Sequence, residues 1–185
     1  MEKELNRLIR QMLRDIEVEL TDEFDKNFER EAFFSEAWER RRSPIRQDGH
    51  LLVDTGRLRQ SISCKMDADS ITFSSTLPYA AIHNEGGEIT VTAKMKRFFW
   101  AKYYEASGSF GRRKDGSLRK DKRTVRLGTE AEFWRLMALM KVGSKVKIPR
   151  RRFLGASPEV EEAAKEIIKE NLTEYFKNLK NKLEQ

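Results

Sequence analysis

Apolar residues return every three or four positions along the first segment: Leu5, Leu8, Ile9, Met12, Ile16, Leu20, Phe24 and Phe28. That period lines one face of a long amphipathic helix. The pattern carries to about Phe34, where "SEAWERRRSPI" loses the repeat. Pro44 disfavours helix at Ser43, so the helix ends by there. Residues 43–50 read as a polar loop.

In "LLVDTGRLRQSIS", Leu51 to Val53 reads as extended and Thr55 as the cap of a short helical turn, Gly56 to Gln60. Ile62–Met66 and Ile71–Ser75 read as strands joined by the polar turn "DADS". Leu77 and Pro78 break that ladder. Tyr79–Asn84 reads as a short helix closed by Gly86 or Gly87 in the left-handed conformation. Glu88–Thr92 alternates and reads as a third strand. A helix over Ala93–Glu105 follows, with aromatic bulk from Phe98, Phe99, Trp100 and Tyr103.

The pattern then lapses. Residues 107–128, "SGSFGRRKDGSLRKDKRTVRLG", hold four glycines and eight Lys+Arg, and read as a mobile basic loop. Thr129 and Glu132 form a capping-box pair that predicts a helix to about Val142. Its apolar residues occupy most faces, so it should be buried in the domain or against a neighbour. After a short extended piece, Ser157 is the expected N-cap and Pro158 the first residue of the last helix. That helix, to about Lys182, is expected to bury Val160, Ala164, Ile167, Ile168, Leu172, Tyr175, Phe176, Leu179 and Leu183. The predicted fold is α+β: a small antiparallel β-sheet packed against long N- and C-terminal helices, in one domain over residues 1–185.

Composition sharpens this picture. With 38% hydrophobic and 36% charged residues, the chain has a modest core and a strongly solvated surface. A protein this polar often completes its apolar burial by association with other copies. The longest apolar runs are only a few residues, too short to cross a bilayer, so no membrane partner is expected. "MEKELNRLIRQML" is charged and periodic, without the apolar core of a signal peptide. The net charge of +7 is unevenly spread. From Lys94 to Ala156, 19 Lys+Arg stand against 5 Asp+Glu, whereas the rest carries 18 against 25. A basic centre between acidic flanks implies a polyanion or an acidic surface on a neighbouring subunit.

Candidate chemistry is sparse. The single Cys64 excludes an internal disulfide and a cysteine zinc site, and two histidines leave any metal enzyme reliant on carboxylates. His83 in "HNE" resembles a nuclease histidine that activates water, but no further ligands stand at fixed spacing. Local hydrogen bonding at a helix end explains it better. Ser61, Ser63 and Cys64 lack a suitably spaced base, and "GSFGRR" lacks the lysine and hydroxyl of a phosphate loop. No catalytic residue, metal site or cofactor is predicted. Nucleic-acid binding has more support. Arg112, Arg113, Lys114, Arg119, Lys120, Lys122, Arg123 and Arg126 form one basic stretch, and Arg150, Arg151 and Arg152 another. Such density suffices for salt-dependent, nonspecific affinity for phosphate. The same stretch would equally serve as an arm that orders on a neighbour's acidic helix.

Four segments in order, "LLVDTGRLRQSIS", "YAAIHNEGG", "AKMKRFFWAKYYE" and "IPRRRFLGAS", resemble the phage virion morphogenesis proteins, the Mu-like tail-completion group. With the flanking helices the resemblance covers nearly the whole chain; the basic segment around Ser107–Gly128 is its main departure. It implies a non-enzymatic structural protein that acts with copies of itself, in a ring, and with other phage tail and head-connector proteins. The protein would work in the bacterial host cytoplasm during assembly and then at the head–tail junction. By that analogy Asp54, Thr55 and Gly56 set a turn, Tyr79, His83, Gly86 and Gly87 shape a helix, and Arg150, Arg151, Arg152 and Phe153 fix how the final helix approaches the sheet. The basic residues would face DNA or a subunit. A stand-alone, nonspecific nucleic-acid-binding protein using residues 94–156 is the alternative.

Overall fold

A computed structural model describes residues 2–46 and 48–184. It resolves into two compact units. The first comprises Met1–Glu39, His50–Glu85 and Arg150–Gln185, and the second Arg40–Gly49 and Gly86–Pro149.

In the first unit, helix α1 spans Glu2–Arg30. It stops short of the expected Phe34 because Glu31 turns left-handed, with φ 51°. The chain doubles back there as a tight ribbon, β1 (Ala32–Phe33) against β2 (Glu36–Ala37), closed by the Trp38 amide donating to the Glu31 carbonyl at 2.8 Å. Asn27 Oδ1 accepts the Phe34 amide at 2.9 Å, which secures the reversal. A continued helix would leave the Phe33 ring outside the core; the reversal buries it.

Residues Leu51 and Leu52 form a turn, not the extended segment expected, and Leu52 has φ 58°. Helix α2 is Arg57–Gln60. Thr55 does not cap it. Gly56 occupies the N-cap position at φ 73° and supplies no side-chain hydrogen bond, so backbone freedom starts this turn. Strands β3 (Ile62–Met66) and β4 (Ile71–Ser75) pair antiparallel, with Cys64 opposite Phe73. Helix α3, Ala80–Glu85, closes at Gly86 with φ 72°. Helix α6, Pro158–Leu183, begins with the Ser157 hydroxyl accepting the Val160 amide and Pro158 in its first turn.

Two apolar clusters hold this unit. Phe28, Trp38, Leu51, Leu58, Ala80 and Phe153 form one; Ile16, Leu20, Phe24 and Phe33 form the other, extended by Phe73 and by Val160, Ala164 and Ile167 of α6. Each large side chain buried here contributes about 1.5–3 kcal/mol. Helix α6 itself has no buried residue. Ile168, Phe176, Leu179 and Leu183, expected inside, are exposed. Its contacts are made mainly with one helix, α1, so a single stripe is covered and the adjoining apolar face is left over.

The second unit is built on α4 (Ala93–Gly108) and α5 (Lys122–Leu139). Thr92 caps α4 by accepting the Met95 amide. The helices run antiparallel, with the Phe99 ring stacked on Trp134 and small residues Ala106, Ala131 and Ala138 buried. Strand β5 (Gly87–Thr90) pairs with β6 (Lys145–Ile148). Among the described residues the strands thus form three separate two-stranded ribbons, not one sheet, and the class is α+β.

The capping box expected at Thr129 and Glu132 is absent. Helix α5 starts at Lys122, and the N-cap is Asp121, whose carboxylate accepts the Thr124 amide. Thr129 donates its hydroxyl to the Val125 carbonyl and Glu132 binds Arg135, both within the helix. Asp121→Ala should therefore lower hydrogen-exchange protection in the first turn of α5, whereas Thr129→Ala should leave it intact. The reverse ranking would place the helix start at Thr129.

Candidate functional site

The sequence motifs of the first unit converge on residues 150–157, the segment leading into α6. Asn84 at the end of α3 is its clamp. Asn84 Oδ1 accepts the amides of Phe153 and Leu154 at 3.0 and 3.1 Å, and its Nδ2 donates to the Leu154 carbonyl at 3.0 Å. The Arg151 amide donates to the His83 carbonyl at 2.8 Å. From the other side, Trp38 Nε1 donates to the Arg152 carbonyl at 2.6 Å, and the fully buried Asn27 reaches the Phe153 carbonyl. A segment without helix or strand thereby has its backbone groups satisfied by side chains, as burial requires.

The arginines divide. Arg150 is exposed, whereas Arg151 is buried and donates from Nε to the Glu39 carbonyl at 2.9 Å. Arg152 lies over the Phe33 ring, 4.4 Å from its centroid, and donates to the Ala156 carbonyl. Gly155 has φ 134°, a conformation that favours glycine, and a side chain there would push the Arg152 guanidinium aside, 2.8 Å away. Burial takes Arg151 out of any surface a polyanion could touch. The sequence pattern "RRR" carries no sign of this division. Nor does it show Asn27, Trp38 and Asn84, whose polar groups do most of the holding; "HNE" drew attention to the histidine next to the residue that matters.

His83 lies half-buried with its ring edge-on to Tyr79, and its Nδ1 has no hydrogen-bond partner among the described residues. Burial, then the charge of Arg151, hold its imidazole below the usual histidine range. A histidine kept neutral when folded but protonated when unfolded stabilises the fold above its unfolded pKa and loses that contribution as pH falls. The unfolding midpoint should therefore drop between about pH 7 and about pH 5, above the range where carboxylates titrate. His83→Gln should flatten that slope, as followed by circular dichroism.

Little in this unit suits catalysis. Burial and the nearby Glu17 carboxylate push the Cys64 thiol up, away from the reactive thiolate. Among the described residues no group of three or more His, Cys, Asp or Glu is placed to hold a metal ion. An open groove of about 570 Å³ between α1 and α6 is lined by mixed charges, among them Arg7, Asp15, Glu174 and Lys182. Asp54 and Thr55 are exposed in the turn before α2, and Tyr79 is exposed at the start of α3.

In the second unit the basic residues cluster at one end of the α4–α5 pair. Residues 109–121 fold into a turn in which Arg112 bridges Leu118 and the Arg119 amide donates to the Gly111 carbonyl at 2.7 Å. Arg112, Arg113, Lys114, Arg119 and Lys120 are exposed on it, and Lys122, Arg123 and Arg126 are exposed on the first turns of α5. Apolar side chains stand among and beyond them. Leu118, Val125, Leu136 and Leu139 are all exposed, as is Phe98 on α4. Of the burial expected for this helix, in the domain or against a neighbour, the second unit supplies only the side facing α4.

The first unit thus spends Asn84, His83, Arg151 and Phe153 on internal structure, and both units leave apolar helix faces uncovered. No helix among the described residues is long and apolar enough to cross a membrane. Neither the curated proteins nor the solved structures include a match to this sequence. Comparison with protein families matches residues 2–173 to one described as the phage virion morphogenesis family. That match spans most of the 185 residues, so the chain belongs to the phage virion morphogenesis family and has a structural, morphogenetic role in a phage.

Proposed function

We propose that the protein is a tail-completion or neck component that joins tail to head through protein–protein contacts, without catalysing a reaction. It assembles with copies of itself into a ring and meets tail and head-connector proteins. It is made in the host cytoplasm and ends at the head–tail junction. The observation that carries this reading is the pairing of a fully internal motif hub with exposed helix faces. Asn84, Trp38 and Asn27 satisfy backbone groups, while Phe98, Leu136, Phe176 and Leu183 lie open to solvent. Large exposed apolar side chains grouped on helices mark interaction surfaces.

Removing the gene product should leave filled heads and finished tails lying separate in electron micrographs of lysates. Joined, normal particles would reject the reading. A second reading, the stand-alone nucleic-acid binder, draws support from the eight exposed basic residues between Arg112 and Arg126. It requires tight duplex binding by the monomer, with log K falling against log salt at a slope of about −0.9 per phosphate contacted.

A further inference from the structure

Two exposed apolar stripes, one in each unit, share a spacing and carry opposite charge beside them. On α5, Val125, Leu136 and Leu139 stand at positions i, i+11 and i+14, with Val125 61% and Leu136 56% exposed. On α6, Ile168, Leu179 and Leu183 stand at i, i+11 and i+15, flanked by Phe176 at 60% exposure. At about 100° per residue each set falls within one face, and at 1.5 Å per residue each runs for about 20 Å.

Charge fixes the direction in which these stripes can meet. Ahead of Val125 come Arg119, Lys120, Lys122 and Arg123, interrupted by Asp121, so the stretch stays basic overall. Ahead of Ile168 come Glu159, Glu161, Glu162 and Glu166, interrupted by Lys165, so the stretch stays acidic overall. Set parallel, the basic end of α5 lies along the acidic end of α6, while Val125 meets Ile168 and Leu136 meets Leu179. Set antiparallel, the same basic residues would face Lys180 and Lys182. At the basic end of α5 the charges favour the parallel arrangement.

We propose that α5 of one copy docks parallel on α6 of a second copy, the basic 119–126 segment pairing with the acidic first turns of α6. Because the two faces differ, the contact is heterologous: each copy offers α5 to one neighbour and α6 to the other, which closes a ring or extends a filament. This deepens the assembly reading above and rests on it. Apolar residues amid the positive charge distinguish this face from a purely phosphate-binding one. Leu118 and Val125 add nothing to phosphate neutralisation, whereas a protein partner would bury them.

Sedimentation velocity on the full chain tests it. The wild type should associate with rising concentration, more strongly at low salt, because screening shortens from about 10 Å at 0.1 M to about 3 Å at 1 M. A basic-to-acidic variant (Lys120→Glu, Lys122→Glu, Arg123→Glu) and an acidic-to-basic variant (Glu161→Lys, Glu162→Lys, Glu166→Lys) should each lose association by at least about tenfold. Mixed together they should regain it as an assembly in which the two variants alternate, since one junction joins the unaltered α5 to the unaltered α6 and at the next the reversed charges face each other. Leu136→Asp should abolish association while the helical circular dichroism spectrum is unchanged. A wild type that stays monomeric throughout, or a mixture that stays monomeric, overturns the proposal. So does a basic-to-acidic variant that assembles normally but no longer binds a 30-base-pair duplex, which would make DNA the partner. Wild-type monomers in a protein still needed to join heads to tails would overturn this interface and leave the neck reading standing.

Discussion

Replacing Phe153 by alanine should destabilise the first unit by about 3–5 kcal/mol, the range for deleting a buried aromatic ring. Phe153 is 1% exposed, its ring lies 5.2 Å from that of Phe28, and Phe28 in turn meets Trp38 edge-on at 5.7 Å. The ring is the only large apolar anchor buried from the 150–157 segment, so its loss opens a cavity and loosens the lead into α6 together. For a chain of this size each kcal/mol shifts the melting midpoint by about 2–4 °C, so a drop near 10 °C is expected. Phe153→Leu should cost far less because most of the volume remains. If alanine and leucine behave alike, the segment is not held by core packing.

Asn84→Ala is the second large effect, with about 2–4 kcal/mol expected. Its carboxamide serves two amides and one carbonyl of the same short segment. Truncation leaves those part-buried backbone groups without their partners, which costs less than the about 1–3 kcal/mol that each would cost if fully buried. Asn84→Asp separates the contributions. It retains the acceptor for Phe153 and Leu154 but loses the donor to the Leu154 carbonyl, so its loss should be smaller. Chemical denaturation measures both variants. An alanine variant within about 0.5 kcal/mol of the wild type, the ordinary range for surface changes, would contradict the clamp.

These two residues show what the sequence makes legible and what it hides. Periodicity located α1 and α6, the alternation in Ile62–Met66 and Ile71–Ser75 located the central hairpin, and the Ser157–Pro158 pair located the start of α6. All are local signals. The end of α1 was hidden because Phe33 and Phe34 continue an apolar pattern. What stops the helix is a left-handed glutamate and a hydrogen bond to Asn27. The start of α5 was hidden because the basic, glycine-containing stretch that leads into it reads as loop. Asp121 prevails: with its cap Thr124 lies in the first turn of α5 and is buried, as Ala131 is further along.

The candidate surfaces divide the same way. Charge asymmetry is a property of composition, so the basic region was visible at once. Which arginines remain at the surface depends on tertiary contacts. Arg151 disappears into a bond with the Glu39 carbonyl while Arg150, its neighbour in sequence, stays exposed. The uncovered stripe on α6 was likewise unreadable, because an apolar residue at helical spacing gives the same signal whether it faces its own core or another molecule. Ile167 and Ile168 are adjacent, and only the first packs against the second cluster.

The central claim, that this chain is a fitted part of the particle at the joint between head and tail, is tested most directly by cryo-electron microscopy of intact virions. The account predicts density for a ring of this protein at the junction, with the two units recognisable in each copy. Finished particles that lack the protein at that junction, while it remains free in the lysate, would contradict it.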